Sequence, residues 1–273
     1  MPIVHIIVLA AVQGITEFLP ISSSGHLILV PNLLGWQDQG RAIDVAVHVG
    51  TLLAVMIYFW RDILAMIRAF FRAFRQLSQH RPLDKEFWLM VNLIVATIPA
   101  VIAGIVIDKY FSEALRSIEI VAFTTIFFAI LLYLADRIFM TIRRVEHITV
   151  WGALMVGVFQ AMALIPGTSR SGATMTACRM LGVERPEAAR FSFLMAVPAI
   201  LGAGTLEGYK LWQSGDYAMV NDAVLTGFFA MLFGIAAIAF MMAWLKRATF
   251  TPFVVYRLAL GIGLLLYIYG WPF

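Results

Sequence analysis

The sequence predicts an all-α polytopic membrane protein: an inverted-topology repeat with six transmembrane helices and two re-entrant helix–loop–helix hairpins. Three observations predict it. Hydrophobic residues make up 62% of the 273 and charged residues only 13%, against about 45–50% and about 25% in soluble domains. The apolar residues, with a mean hydropathy of +0.88, fall in long runs bounded by charge. Two of those runs are interrupted by polar elbows that resemble one another. So little charge cannot cover a soluble surface, which excludes a soluble enzyme, a disordered chain and a nucleic-acid-binding domain. The net charge of +4 accordingly reads as cytoplasmic loops, and no nucleic-acid partner is expected. The single cysteine, Cys178, permits no intrachain disulfide and no cysteine-rich metal cage. No Lys or Arg precedes Arg41, so the first apolar run lacks the charged start of a cleavable signal and is expected to stay in the mature protein.

In chain order, residues 2–36 form the first odd region. They are apolar but contain Gln13, Glu17, Pro20, Ser22, Ser23, Ser24 and His26. Such backbone is tolerated at membrane depth only where protein or a wet cavity surrounds it, so this region reads as two half-helices around an elbow. Uninterrupted spans follow over residues 44–60, 87–106 and 120–135. Between the first two, residues 61–78 space arginines among Ile, Met and Phe, the pattern of an amphipathic helix on the inner membrane surface. Residues 150–181 form the second hairpin, interrupted by Gln160, Pro166, Gly167, Thr168, Ser169, Arg170 and Ser171. The last three spans are residues 191–205, 224–245 and 253–269. Pro99, Pro198 and Pro252 are expected to kink their helices.

The elbows align without gaps at an offset of 147: VQGITEFLPISSSG over FQAMALIPGTSRSG. Gln13 meets Gln160, Ser22 meets Ser169, Ser24 meets Ser171 and Gly25 meets Gly172, while Ser23 faces Arg170. The chain therefore reads as one integral membrane domain, 1–273, made of a repeat of about 1–147 and another of about 148–273. Six basic residues lie in 61–85, three in 137–144, three at Arg179, Arg185 and Arg190, and two at Lys246 and Arg247, fourteen of the 20 in all. The intervening loops hold Arg41, Lys109, Arg116 and Lys210. If the fourteen lie inside, both termini lie outside. Each half then crosses an odd number of times, and the halves are inverted.

Ionisable groups inside a membrane protein are functional candidates by default. Glu17, His26 and Arg170 all fall at the elbows. They are accompanied by the hydroxyls of Ser22, Ser23, Ser24, Thr168, Ser169, Ser171 and Thr174, and by Gly25, Gly167 and Gly172. This composition suits an anion cradle: helix starts supply positive dipole ends, and Arg170 supplies a planar fork for two phosphate oxygens. Ser23 lies three residues before His26, within reach if the helix starts between them. A serine, a histidine and a carboxylate are the parts of an activated nucleophile. Glu17 could instead hold a divalent cation, Mg²⁺ or Ca²⁺, with Gln13 on the same helix face, or orient His26. Whether Ser23 attacks or positions a water stays open. Of the remaining groups, His48 reads as a core histidine bonded to a carbonyl or as a site-lining group. Arg257 reads as paired with an acid or a lipid phosphate, and Cys178 as inert.

QGITE, PISSSGH and PGTSRSGAT together resemble the bacterial undecaprenyl-pyrophosphate phosphatase family, also associated with bacitracin resistance. The family's (Glu/Gln)-x-x-x-Glu element reads here as Gln13–Glu17, and its Pro-Gly-x-Ser-Arg-Ser-x-x-Thr element as Pro166–Thr174. The resemblance covers the whole chain. It implies the six-span fold with two re-entrant hairpins. It also implies removal of the terminal phosphate from undecaprenyl diphosphate on the outer face of the bacterial inner membrane, recycling the lipid carrier for cell-wall synthesis. Glu17, Ser23, His26 and Arg170 are the residues it makes central; Gln13 brings no charge where many members carry Glu. The expected partners are the polyprenyl diphosphate and membrane lipids, with a homodimer as a further expectation. The contrasting class is a polyprenyl-phosphate transporter or flippase, since inverted repeats with broken helices are a transporter plan. Pure transport needs no general base, so the Ser23–His26–Glu17 set favours hydrolysis.

The charge distribution makes a direct prediction. A periplasm-dependent alkaline phosphatase fused after residue 273 should be active, and a cytosol-dependent reporter at the same place silent. The reverse pattern would contradict the inverted arrangement.

Overall fold

Charge-bounded apolar runs become helices joined by short polar turns, because a membrane leaves the backbone no other partner. In the computed structural model, described over residues 1–36, 40–110, 117–139, 142–201, 213 and 217–270, the helices are α1 (Ile3–Thr16), α2 (Ser23–Leu34), α3 (Gly40–Tyr58), α4 (Trp60–Ser78), α5 (Lys85–Tyr110), α6 (Ile118–Ile138), α7 (Val150–Met162), α8 (Arg170–Met180), α9 (Arg185–Leu194), α10 (Tyr217–Trp244) and α11 (Thr251–Ile268). Among the described residues the extended structure amounts to an isolated bridge between Arg143 and Val183.

Among the described residues four helices are long and apolar enough to cross a membrane: Lys85–Ile107, Ile118–Ile138, Met219–Trp244 and Thr251–Ile268. They match four of the six expected spans. The first expected span is α3. It meets α4 at a 77° bend with Phe59 between them, so the amphipathic helix turns sharply off the span as its composition predicts. α4 buries Met66, Ala69 and Ala73 and leaves Phe71 and Phe74 exposed among its arginines, a face suited to a lipid interface. The expected span 191–205 is described only as far as residue 201. Helix α9 ends at Leu194, the chain breaks at Met195 and is helical again over 196–201; residues 202–205 lie outside the described residues, as do Arg116 and Lys210. Pro252 is corrected, because it occupies the first turn of α11, where proline starts a helix rather than kinking it. Pro99 lies inside α5.

Three of the four hairpin helices pack on a long helix of the other half, α8 doing so on α6. α1 packs on α10, α7 packs on α5, and α6 packs on α11. These approaches are close because the facing residues are small. A Cβ on Gly50 would lie 2.1 Å from the Gly227 carbonyl oxygen, and one on Gly227 would lie 2.9 Å from that of Ala46. The α3 stripe Ala46, Gly50, Ala54 thus meets Gly227 and Gly234 of α10.

Charge pairs close the basic end. Asp136 at the end of α6 forms an ion pair with Arg179, whose Nε lies 2.9 Å from Oδ1, and accepts from Arg185 Nε at 2.8 Å. Arg190 bridges Asp62 and Glu187, and Lys85 reaches Glu146 at 2.7 Å. Arg179 is therefore not a loop charge, as its sequence position suggested. It is buried, and Asp136 offsets the cost of taking it out of water.

The α3–α10 crossing sets a stability prediction. Gly50→Ala should lower the thermal midpoint in detergent, by the about 1–3 kcal/mol typical of overpacking. Gly104→Ala, whose Cβ would meet nothing nearer than 4.0 Å, should not. Equal midpoints would contradict the close crossing.

Candidate active site

The two elbows are built alike. Helix α1 ends at Thr16 and α2 starts at Ser23; α7 ends at Met162 and α8 starts at Arg170. Just before each second helix stands a non-glycine residue with positive φ, Ser22 at 75° and Ser169 at 70°, a conformation costing about 1–3 kcal/mol. In both, the carbonyl accepts from the N–H four residues on, His26 at 3.3 Å and Ala173 at 2.9 Å. In both, the hydroxyl shares a hydrogen bond with the second following serine, Ser22 with Ser24 at 3.4 Å and Ser169 with Ser171 at 3.3 Å. The correspondence at offset 147 thus extends from residue identity to backbone geometry.

The elbows meet at Glu17, which is 6% exposed. Arg170 Nη2 donates to its Oε1 at 2.8 Å across the two halves. Ser23 Oγ donates to Oε2 at 2.7 Å, and Gln13 Nε2 donates to the same oxygen at 2.9 Å. His48 Nε2 stands 4.0 Å from Oε2, and its Nδ1 lies 2.6 Å from the Asp44 carbonyl. His48 therefore satisfies both of its sequence readings: it bonds a carbonyl and it lines the site.

The expected Ser23–His26 hydrogen bond is corrected. Ser23 is turned to Glu17. His26 Nδ1 lies 2.7 Å from the Ser22 carbonyl, which the positive φ turns back into the helix start. A carbonyl only accepts, so Nδ1 carries the hydrogen. In the neutral ring Nε2 is then the acceptor, and the Tyr256 hydroxyl donates to it at 2.6 Å, with the two rings stacked.

Arg257, beside Tyr256 on α11, is fully buried. Its partners within the protein are backbone carbonyls rather than an acid. Nη2 donates to the carbonyls of Gly167 at 3.0 Å and Thr168 at 2.8 Å, and Nη1 to that of Pro20 at 3.4 Å. One guanidinium thus fastens both elbows from behind. Gly172 makes room for it, since a Cβ there would lie 2.8 Å from Arg257 Nη1. Gly167 combines φ of 89° with a Cβ direction that would meet the Val121 carbonyl at 2.4 Å, so this corner of the second elbow admits only glycine.

The seven hydroxyls divide. Ser169 caps α8 by accepting from Gly172 N–H at 3.1 Å. Ser171 donates to the Leu19 carbonyl of the first elbow at 3.0 Å. Thr174 donates to the Arg170 carbonyl at 2.8 Å and pairs with Ser192 at 2.7 Å. Thr168 is buried. These four build the second elbow. Ser23, Ser24 and His26 lie on its more open side, with Gly25 buried in the first turn of α2. Sequence reasoning missed Tyr256 altogether; nothing marks a tyrosine in an apolar helix as a histidine partner.

Among the described residues no three His, Cys, Asp or Glu gather as a metal cage. Gln13 Oε1 is nevertheless a buried acceptor without a hydrogen-bond partner, on the residue bonded to Glu17. A carboxylate and an amide oxygen are the donor types that fit a hard divalent cation.

Comparison with known proteins matches the family described as Bacitracin resistance protein BacA to residues 6–263. An undecaprenyl-diphosphatase of Roseobacter denitrificans is 44% identical over 271 residues, covering 99% of this chain and 100% of its own. One from Hahella chejuensis is 46% identical over 265 residues, covering 97% and 98%. One from Campylobacter curvus is 47% identical over 265 residues, with the same coverage.

Arg257→Lys tests the fastening of the elbows. A single ammonium cannot serve carbonyls on both elbows and leaves buried acceptors unpaired, so a stability loss of about 1–3 kcal/mol is expected in detergent melting. An unchanged melting midpoint would contradict it.

Proposed function

The chain belongs to the Bacitracin resistance protein BacA family, and from that premise we propose that it is a membrane undecaprenyl-diphosphatase. It hydrolyses undecaprenyl diphosphate to undecaprenyl phosphate and phosphate, recycling a lipid carrier for cell-wall synthesis. The observation that carries the chemistry is the bridge Ser23–Glu17–Arg170, in which a nucleophile and a phosphate fork share one buried carboxylate that is itself the proton acceptor. A protein that only moved lipid phosphate would need no such set. The basic loops support a multi-pass placement in the inner membrane with both termini and the mouth of the site outside.

Ser23 Oγ attacks the terminal phosphorus as its proton passes to Glu17 Oε2, to which it is already bonded. The new Oγ–P bond forms as the bridging P–O bond breaks, and undecaprenyl phosphate leaves as a stable anion without needing a strong acid. Arg170 turns from Glu17 to the transferring phosphoryl group, where its fork binds two oxygens and opposes the developing charge. Ser22, Ser24 and the start of α2 supply further donors. Water then cleaves the Oγ–P bond, giving its proton to His26 Nε2 once the substrate has displaced Tyr256 from it, while Glu17 returns its proton to the departing Ser23 Oγ. Gln13 and Glu17 would hold a divalent cation, Mg²⁺ or Ca²⁺, which when bound neutralises diphosphate charge.

Phosphate release from undecaprenyl diphosphate by the purified protein tests this reading. Wild type should turn over and lose activity on exhaustive chelation; full activity after chelation would remove the cation. Ser23→Ala should abolish turnover while still binding substrate. Residual turnover within about tenfold of wild type, about 1.4 kcal/mol of barrier, would make water the attacking group and Ser23 its positioner.

A further inference from the structure

His26 and Tyr256 come from opposite ends of the chain, on α2 and α11, and they are held in different ways. The hydrogen on His26 Nδ1 goes to the Ser22 carbonyl at 2.7 Å. The strained turn at Ser22 thus sets both the tautomer and the orientation of the ring, and leaves Nε2 as a lone pair. Tyr256 is carried on α11, where the next residue, Arg257, is buried and bonded to the carbonyls of Pro20, Gly167 and Thr168. The backbone under Tyr256 is therefore tied to both elbows. Its side chain is not, being 43% exposed; the hydroxyl bonds Nε2 at 2.6 Å, and the ring stacks on the imidazole with centroids 5.7 Å apart. The charged and titratable groups on the surrounding elements are engaged elsewhere. Glu17 pairs with Arg170 and faces His48, Arg257 holds carbonyls, and Glu119 of α6 accepts from Tyr269. The Tyr256 hydroxyl is the group on the lone pair of the base.

We propose that Tyr256 is a latch on His26: a positioning residue that keeps Nε2 unprotonated and covered until the substrate's phosphates dislodge it. The inference rests on the hydrolase reading and adds how the base of that reading is held in reserve. A phenol titrates near pH 10, so at neutral pH it keeps its hydrogen and donates it. A hydrogen donated to Nε2 favours the neutral ring, because a protonated Nε2 has no lone pair to accept it. The bond therefore keeps His26 neutral to a lower pH than the ring contact alone would. Release needs no repacking. The half-exposed ring swings outward about its own side-chain torsions, while Arg257 keeps α11 fastened to the elbows and the Ser22 carbonyl keeps Nδ1 protonated. Nε2 is then uncovered with its lone pair already aimed into the site, and a water bound beside the phosphoryl group can give it a proton.

The test pairs the titration of His26, followed by nitrogen NMR of histidine-labelled full-length protein in detergent, with phosphate release from undecaprenyl diphosphate. The His26 signal is assigned by its loss in His26→Gln. Tyr256→Phe keeps the ring and deletes the hydrogen, so it should raise the His26 midpoint by about 0.7 pH unit, the equivalent of one hydrogen bond of about 1 kcal/mol. At a pH above both midpoints the same variant should keep kcat within about twofold and lower KM about fivefold, because the substrate has one bond fewer to break. A tyrosine that only packs would leave the midpoint where it is. If Tyr256→Phe fails to fold, Tyr256→Leu carries the same comparison. An unchanged midpoint would overturn the proposal. So would a kcat lowered about tenfold or more, which would make Tyr256 a group that touches the substrate rather than one that acts through His26. A wild type that releases no phosphate would instead overturn the hydrolase reading, whatever the titration shows.

Discussion

A carboxylate buried in an apolar protein must be paired, and Glu17 is paired across the molecule's two halves. An uncompensated charge at that depth costs several kcal/mol, so Arg170 has to arrive from the second elbow for the first to close. The same carboxylate takes Ser23 and Gln13. Where α8 begins is thereby tied to where α2 begins, and the rest of the fold serves to bring those two helix starts together.

The joining is strained and is compensated locally. Two serines sit in a left-handed conformation, and both elbows turn backbone carbonyls of their loops inward. Arg257 answers three of those carbonyls, and Ser171 answers Leu19. Behind the elbows, α10 and α5 clasp α1 and α7 through positions where only glycine fits, such as Gly14 against Phe233 and Gly157 against Ala96. In a membrane, where helices gain nothing hydrophobic by associating, such close backbone approach is a main source of cohesion. The buried Asp136–Arg179 pair does similar work at the basic end.

Much of this was legible because polar residues are conspicuous in an apolar chain. The interruptions at Glu17–His26 and Pro166–Ser171 announced two elbows, and their alignment located the serines that share a backbone conformation. What was not legible is what spacing alone cannot specify. Ser23 and His26 are near enough in sequence to bond, yet the turned-back carbonyl of Ser22 captures His26. Arg257 was visible as an intramembrane charge, but its partners are backbone carbonyls, which carry no side-chain signature. Arg179 looked like a loop charge because its partner, Asp136, is 43 residues away. The break at Met195 falls inside an apolar run, residues 191–205, that reads as continuous.

The central claim is that Glu17 and Arg170 act as one unit linking the halves. A double-mutant cycle with Glu17→Gln and Arg170→Gln, read in kcat/KM for phosphate release, tests it most directly. The account predicts that each single change loses at least about 100-fold. The double variant should then lie within about threefold of the worse single one, as for groups that act together. Losses that multiply, each substitution costing the same whether or not the other is present, would contradict it.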